Sequence, residues 1–246
     1  MLEGPDLVSS ALDGAVEFEA LYVDAGHVAS LEVTQLIGRA QTAGVRVFTL
    51  AEGVLEKVAE ATTPQPLLAA VRFPISQLTQ IASEGLILVL HDVRDPGNAG
   101  TIIRSCDAAG VAAVIFTGQS VDPFNPKTLR ATAGSIFHVP VCVSSLEETL
   151  DHFVALGAHT YATVVRGGVD HRTVDFLTPS VVVIGNEAEG LDDYAVAACQ
   201  SALSIAMAGR NESLNAGVAA ALIVFEALWQ RQGTDSPRPP SSLTGT

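Results

Sequence analysis

Hydrophobic and polar positions along this chain fall into two blocks, each switching repeatedly between a helical period and a strand period. In the first block, "PDLVSSAL" and "VASLEVTQLIGRAQ" place apolar residues at helical spacing, and the second of these stops ahead of Gly44. "FEALYV", "VRVFTL" and "PLLAAVRF" read as strands, and "EGVLEKVAEA" reads as another helix. From Pro74 to Glu84 the periodicity is weak, as in a connector. The second block repeats the alternation more strongly. Its strand candidates are "LILVLHDV", "VAAVIFTG", "VPVCV", "HTYATVV", "SVVVIGN" and "ALSIAMA". Several are unbroken apolar runs, the pattern of strands covered on both faces of a parallel sheet. Helices lie between them, and "SSLEETLDHFVAL" opens with the capping box Ser145-x-x-Glu148. The pattern predicts an α/β chain of two units: a small α/β unit over 1–75 and a parallel-sheet unit over 83–231. The stretch 232–246, rich in Pro, Ser, Thr and Gly, reads as a disordered tail.

Composition narrows the classes. With 246 residues, 48% of them hydrophobic, there is ample material for a core. The longest apolar stretch, Gly217 to Trp229, contains Glu226 and falls short of the ~18 residues of a membrane span. The start "MLEGPDL" is acidic and carries a proline, unlike a secretory signal. Cys106, Cys142 and Cys199 lie far apart without C-x-x-C spacing, which fits a reducing cytoplasm and no disulfide framework. His27, His91, His138, His152, His159 and His171 include no H-x-x-x-H pair, so no metal site is expected. The net charge of -14 argues against a protein that grips polyphosphate over its whole surface. Yet Arg94, Arg104, Lys127, Arg130 and Arg210 cluster in or beside the loops and helix starts of the second half. This suits a small basic mouth on an acidic body.

Three loops carry candidate chemistry. The first, "RDPGNAGTIIR", follows the strand at Leu86. Asn98 is placed to cap a helix, and Arg104 shares a face with Gly100 and Thr101, where the bare Gly100 leaves room for the guanidinium. The spacing matches neither G-x-G-x-x-G nor a Walker loop. The second, "VVVIGNEAEGL", leads a buried strand into Gly185-Asn186-Glu187-Ala188-Glu189-Gly190, with glycines at both ends that allow close backbone approach. Its two carboxylates invite a glycosidase reading, but no aromatic sugar platform accompanies them. The third, "LSIAMAGRNESLNAGVAAALIVFEALW", passes from a strand through a polar loop into a long helix. Asn211 or Ser213 is placed to cap it, and its many small residues let another backbone pack close. No G-x-S-x-G elbow is present.

In this order and spacing, "NAGTIIR", "VVVIGNEAEGL" and "IAMAGRNESLNAGVAAAL" resemble the three motifs of the SpoU (TrmH-like) branch of the SPOUT RNA methyltransferases. The likeness runs from about residue 86 to 230 and includes "DPFNPKTLRATAGSIFHVPV". The first 75 residues look like the small substrate-binding domain often fused in front, which resembles kink-turn-binding ribosomal proteins.

The resemblance implies a parallel sheet closed by a C-terminal deep trefoil knot, a homodimer, and S-adenosylmethionine as cofactor. It also implies methyl transfer to a ribose 2′-OH of RNA, with rRNA first and tRNA next as substrate. It assigns Asn98 and Arg104 to the first motif, Glu187 to the second, and Ser213 and Asn215 to the third. Cofactor contacts fall to Gly185, Ile205 and Leu214. Two other readings stay open on the sequence: a knotted-fold base methyltransferase, and a non-catalytic RNA- or ribosome-binding protein.

Overall fold

The computed structural model describes residues 1–14, 16–58, 65–209 and 213–233. The tail expected to be disordered lies, from 234 on, outside the described residues, as do Arg210 and Asn211.

The N-terminal unit comprises β1 (Leu2–Glu3), α1 (Pro5–Asp13), β2 (Glu17–Asp24), α2 (Leu31–Thr42), β3 (Val47–Leu50) and β4 (Leu67–Arg72). Its sheet runs β1-β4-β2-β3, parallel between β2 and β3 and antiparallel elsewhere. The helices bury Leu7, Val8 and Ala11 of α1 and Val33, Leu36 and Ala40 of α2, the residues spaced at three and four that the pattern selected. The helix expected over "EGVLEKVAEA" is not seen among the described residues. One 3₁₀ turn, Leu55–Lys57, stands there, and 59–61 lie outside the described residues.

The second unit comprises β5 (Leu86–His91), α3 (Pro96–Ala109), β6 (Ala113–Thr117), α4 (Pro126–Thr132), β7 (Val141–Val143), α5 (Leu146–Ala155) and β8 (His159–Thr163). It continues with β9 (Val169–Asp170), β10 (Ser180–Ile184), α6 (Asp193–Ala198), β11 (Ser201–Ser204) and α7 (Ala216–Arg231). The sheet order is β7-β6-β5-β10-β8-β11-β9. Every neighbouring pair is parallel. Both faces are covered, which explains the unbroken apolar runs. Ile87, Val89, Val181 and Val183 pack toward Leu146, Leu150 and Phe153 of α5. Their alternate neighbours Leu88, Leu90, Val182 and Ile184 pack toward Ile102 and Ile103 of α3 and Ile223 of α7. Ser145 caps α5 as expected, its Oγ accepting from Glu148 N at 3.1 Å, while Ser144 and Ser145 both donate to the Glu148 carboxylate.

The two units share one apolar cluster, which runs from Leu2 and Leu7 through Ile136 and Phe137 to Leu88 and Ile223. At the seam Ser10 Oγ donates to Gly134 O at 3.0 Å and meets His138 Nε2 at 2.9 Å. The rings of Phe73 and Phe124 stack with centroids 4.4 Å apart. Gly134 is required here twice over: its φ is +93°, and a Cβ would overlap the Ser10 side chain.

Candidate active site

The strand order reverses at the β5–β10 pair, because the chain leaves β5 toward β6 and β7 but leaves β10's other flank through β8, β11 and β9. In an open parallel sheet, such a reversal opens a crevice beyond the carboxyl ends of the strands. All three loops singled out from the sequence lie at those ends: one after β5, one after β10 and one after β11.

The first loop departs from its expected design. Asp95, not Asn98, caps α3: its Oδ1 accepts from Asn98 N at 2.7 Å, and Pro96 occupies the first helical turn. Proline needs no backbone partner there and its fixed φ suits a helix start, so α3 begins three residues earlier than the Asn98 cap implied. The Asn98 side chain is thereby released for other work. Its Nδ2 donates to Glu187 Oε1 at 2.9 Å, and its Oδ1 accepts from Asn215 Nδ2 at 2.8 Å.

Gly100 is corrected as well. It is buried, and a Cβ there would overlap Ala131, so its bareness serves the packing of α3 on α4 rather than a hollow for Arg104. Arg104 is exposed, rotated off the Asn98 face and about 9 Å further along the helix axis. It forms no hydrogen bond or ion pair among the described residues.

The second loop is held from within. Asn186 Oδ1 accepts from Ala188 N and Glu189 N at 2.8 and 3.3 Å, and the backbones of Asn186 and Gly190 pair in both directions. Asn186 Nδ2 donates to Asp92 O at 2.9 Å, tying this loop to the one after β5. Asp92 stands at φ +57°, an uncommon conformation for a residue with a side chain. It turns its carboxylate to Gln119 N. Gly185 is needed because Leu191 N lies 2.5 Å from where its Cβ would be.

In the third loop the cap is neither Asn211, which lies outside the described residues, nor Ser213. Asn215 caps α7, its Oδ1 accepting from Gly217 N at 2.8 Å and Val218 N at 3.3 Å. One amide therefore starts a helix with its oxygen and orients Asn98 with its nitrogen.

Between the loops lies a cavity of about 290 Å³. Gly185, Ile205 and Leu214, the expected cofactor contacts, all line it, as do Glu187 and Ser213. Sequence reasoning missed Thr163, Val164 and Val165 at the end of β8, together with Met207 and Ile223. The usable signal for β8 was its position in a parallel sheet, since it carries no motif. Among the described lining residues there are two carboxylates, Glu187 and Glu189, and no Lys, Arg or His. Such walls suit a cationic, partly apolar cofactor better than a phosphate-bearing one. Among the described residues, no cluster of three or more His, Cys, Asp or Glu is placed to hold a metal.

Residues 85–225 match the SpoU rRNA methylase family, and residues 1–76 match the substrate-binding region of RNA 2′-O ribose methyltransferases. The chain belongs to the SpoU family. It is accordingly a methyltransferase that uses S-adenosylmethionine.

Among curated relatives, the 23S rRNA (guanosine(2553)-2′-O)-methyltransferase RlmP of Bacillus subtilis is 33% identical over 225 residues, covering 92% of this chain and 86% of the relative. The 23S rRNA (uridine(2479)-2′-O)-methyltransferase of Streptomyces viridochromogenes is 36% identical over 200 residues, covering 78% and 70%. Among solved structures, the AdoMet-bound rRNA methyltransferase of Sinorhizobium meliloti aligns with a TM-score of 0.81 at 33% identity, covering 96% of this chain and 87% of that one. The SpoU methyltransferase AviRb of Streptomyces viridochromogenes, in complex with AdoMet, aligns with a TM-score of 0.84 at 29% identity, covering 94% and 89%.

Proposed function

We propose that this enzyme methylates a ribose 2′-hydroxyl of ribosomal RNA. The observation that carries the reading is the hydrogen-bonded line Glu187–Asn98–Asn215 at the edge of a cavity walled by apolar groups and carboxylates. Two of the relatives act on 23S rRNA riboses by name. S-adenosylmethionine supplies a methyl group already activated on a sulfonium. The chain's task is then to seat the cofactor, aim the hydroxyl and let its proton leave.

Gly185, Ile205 and Leu214 hold the cofactor, and Ser213 adds a hydroxyl at the same wall. Glu187 faces the cavity with its carboxylate fixed by Asn98, so its negative charge is oriented before any ligand arrives. Asn98 in turn is fixed by Asn215, whose other end is anchored in the first turn of α7. Arg104 stands outside this line, on the solvent face of α3. It holds substrate phosphate and stabilises charge as the 2′-OH proton departs. A guanidinium is a poor free base, so the substrate phosphate shares the proton-accepting role.

The enzyme acts as a homodimer. Val218 and Leu222 of α7 are about half exposed, as is Trp229, and they form an apolar groove with Ala221, Phe225 and Thr101. A second copy of the chain would cover it. The N-terminal unit selects the RNA, and the C-terminal segment closes the trefoil knot expected of the family. Among the described residues, no helix is long and apolar enough to cross a membrane, and a cytoplasmic site of action fits the substrate.

The deciding experiment is incubation with unmodified rRNA and labelled cofactor, followed by nucleoside analysis. A 2′-O-methylnucleoside is the expected product. A base-methylated nucleoside would move the enzyme to the other reaction class, and absence of any transfer by a folded, cofactor-binding dimer would leave only RNA binding.

A further inference from the structure

Of the thirteen Lys and Arg residues, Arg210 and Arg238 lie outside the described residues. Six of the remaining eleven are engaged. Arg39 pairs with Asp13, Arg72 with Glu17 and Glu19, and Arg172 with Asp170. Arg46 donates to Glu19 O, Arg231 donates to Phe176 O, and Arg166 has a partner too. Among the described residues, the five without a partner are Lys57, Arg94, Arg104, Lys127 and Arg130. Four of these five fall between residues 94 and 130, in a chain whose net charge is -14.

Helix geometry sets three of them beside the contact between α3 and α4. Gly100 and Ala131 mark where α3 touches α4. Each residue turns an α-helix by about 100°, so Arg104, four beyond Gly100, emerges about 40° from that contact and faces solvent. Lys127, four before Ala131, emerges about 40° from the contact on α4, and Arg130 shares its exposed face. Arg94 lies exposed at the foot of α3, just ahead of the Asp95 cap. Among the described residues, no carboxylate is paired with them: Asp95 accepts from Asn98 N and Asp122 from Phe124 N, Asp107 forms no ion pair, and α4 contains no acid.

The N-terminal unit offers the opposite. Residues 1 to 80 hold ten acids against Arg39, Arg46, Lys57 and Arg72, and all of these cations except Lys57 already have partners. We infer that the outward face of α3 and α4, carrying Arg104, Lys127 and Arg130 with Arg94 at its foot, is the track for the RNA phosphate backbone. The catalytic unit, rather than the fused N-terminal unit, then supplies the electrostatic grip on RNA, and the N-terminal unit contributes shape. This rests on the methyl-transfer reading above, and it adds Lys127 and Arg130 as positioning residues for the substrate.

The test is the salt dependence of binding of a labelled oligouridylate to the full-length, cofactor-loaded protein. For a single strand, every phosphate that the protein ceases to neutralise flattens the log–log slope by roughly 0.7. Lys127→Gln/Arg130→Gln should therefore reduce the slope by about 1.4 and raise the RNA KM, with cofactor affinity by calorimetry unchanged as evidence of folding. Arg46→Gln/Lys57→Gln on the N-terminal unit should leave the slope intact. An unaltered slope in the α4 double variant, or an equal reduction in the N-terminal one, overturns the track while leaving the methyl-transfer reading standing. A wild-type protein that binds no RNA overturns both.

Discussion

Asn215 donates its side-chain amide to the side-chain oxygen of Asn98 at 2.8 Å, across 117 residues of sequence. The same Asn215 caps α7 through its oxygen, so orientation and stability meet in one residue and can be separated by choice of substitution. Asn215→Ala removes both functions and should cost about 0.5–2 kcal/mol of stability as well as activity. Asn215→Asp keeps the capping acceptor but has no proton to give Asn98. It should melt close to wild type and still lose methyl transfer by roughly 10–100-fold. Thermal melts paired with single-turnover assays check this. An Asp variant with full activity would mean that the Asn98 contact is dispensable.

Arg104→Ala is expected to lower methyl transfer by at least ~100-fold, the scale of losing an electrostatic or proton-handling group. Cofactor affinity should hold, because Arg104 does not line the cavity. Arg104→Lys retains the charge without the planar fork and should recover only part of the rate. Near-normal transfer by the alanine variant would reduce Arg104 to an ordinary surface residue.

Two glycines inside helices should respond to alanine with opposite signs. Gly38 in α2 has open space around it, so Gly38→Ala should stabilise by about 0.5–1 kcal/mol through helix propensity. Gly100 abuts Ala131 and the Thr128 carbonyl, the latter 3.0 Å from where a Cβ would be. Gly100→Ala should destabilise by about 1–3 kcal/mol as α4 is pushed away. Chemical denaturation of the two variants measures both, and a stabilised Gly100→Ala would contradict the close α3–α4 contact.

The thiols should be slow to react. Burial pushes the Cys199 thiol up to about 11, and burial raises Cys106 and Cys142 too. At pH 8 the Cys199 thiolate is then roughly 200-fold scarcer than for a free cysteine near 8.5, and alkylation of the native protein should slow in proportion. A thiol whose folded pKa is raised stabilises fully below its unfolded value. That contribution is lost as pH climbs from about 8.5 through 11. Mass-spectrometric labelling kinetics in native buffer and in denaturant supply the comparison. Native labelling at the denatured rate would show that Cys199 is open to solvent.

What the sequence determined by itself was whatever depends on neighbours along the chain. A period of 3.6 exposed α1, α2 and α5, and unbroken apolar runs exposed β5, β6 and β10, because burial selects side chains at fixed local spacing. The three motifs singled out Asn98, Glu187 and Asn215, which the structure links by hydrogen bonds, and Gly185, Ile205 and Leu214, which line one cavity. Strands of two residues, β1 and β9, are too short to show any period, and only pairing across the sheet defines them. Tertiary structure decided the rest. Several polar residues near each helix start are competent to cap, and the winner depends on what else competes for its side chain. Asp95 holds the α3 cap while the Asn98 side chain bonds Glu187 and Asn215, partners 89 and 117 residues away. Gly100 looked free in sequence because α4, which fills the space beside it, lies beyond β6 in the chain. Pairings of this kind depend on which strands lie side by side, and the order β5-β10-β8-β11 is set by the packing of the whole sheet.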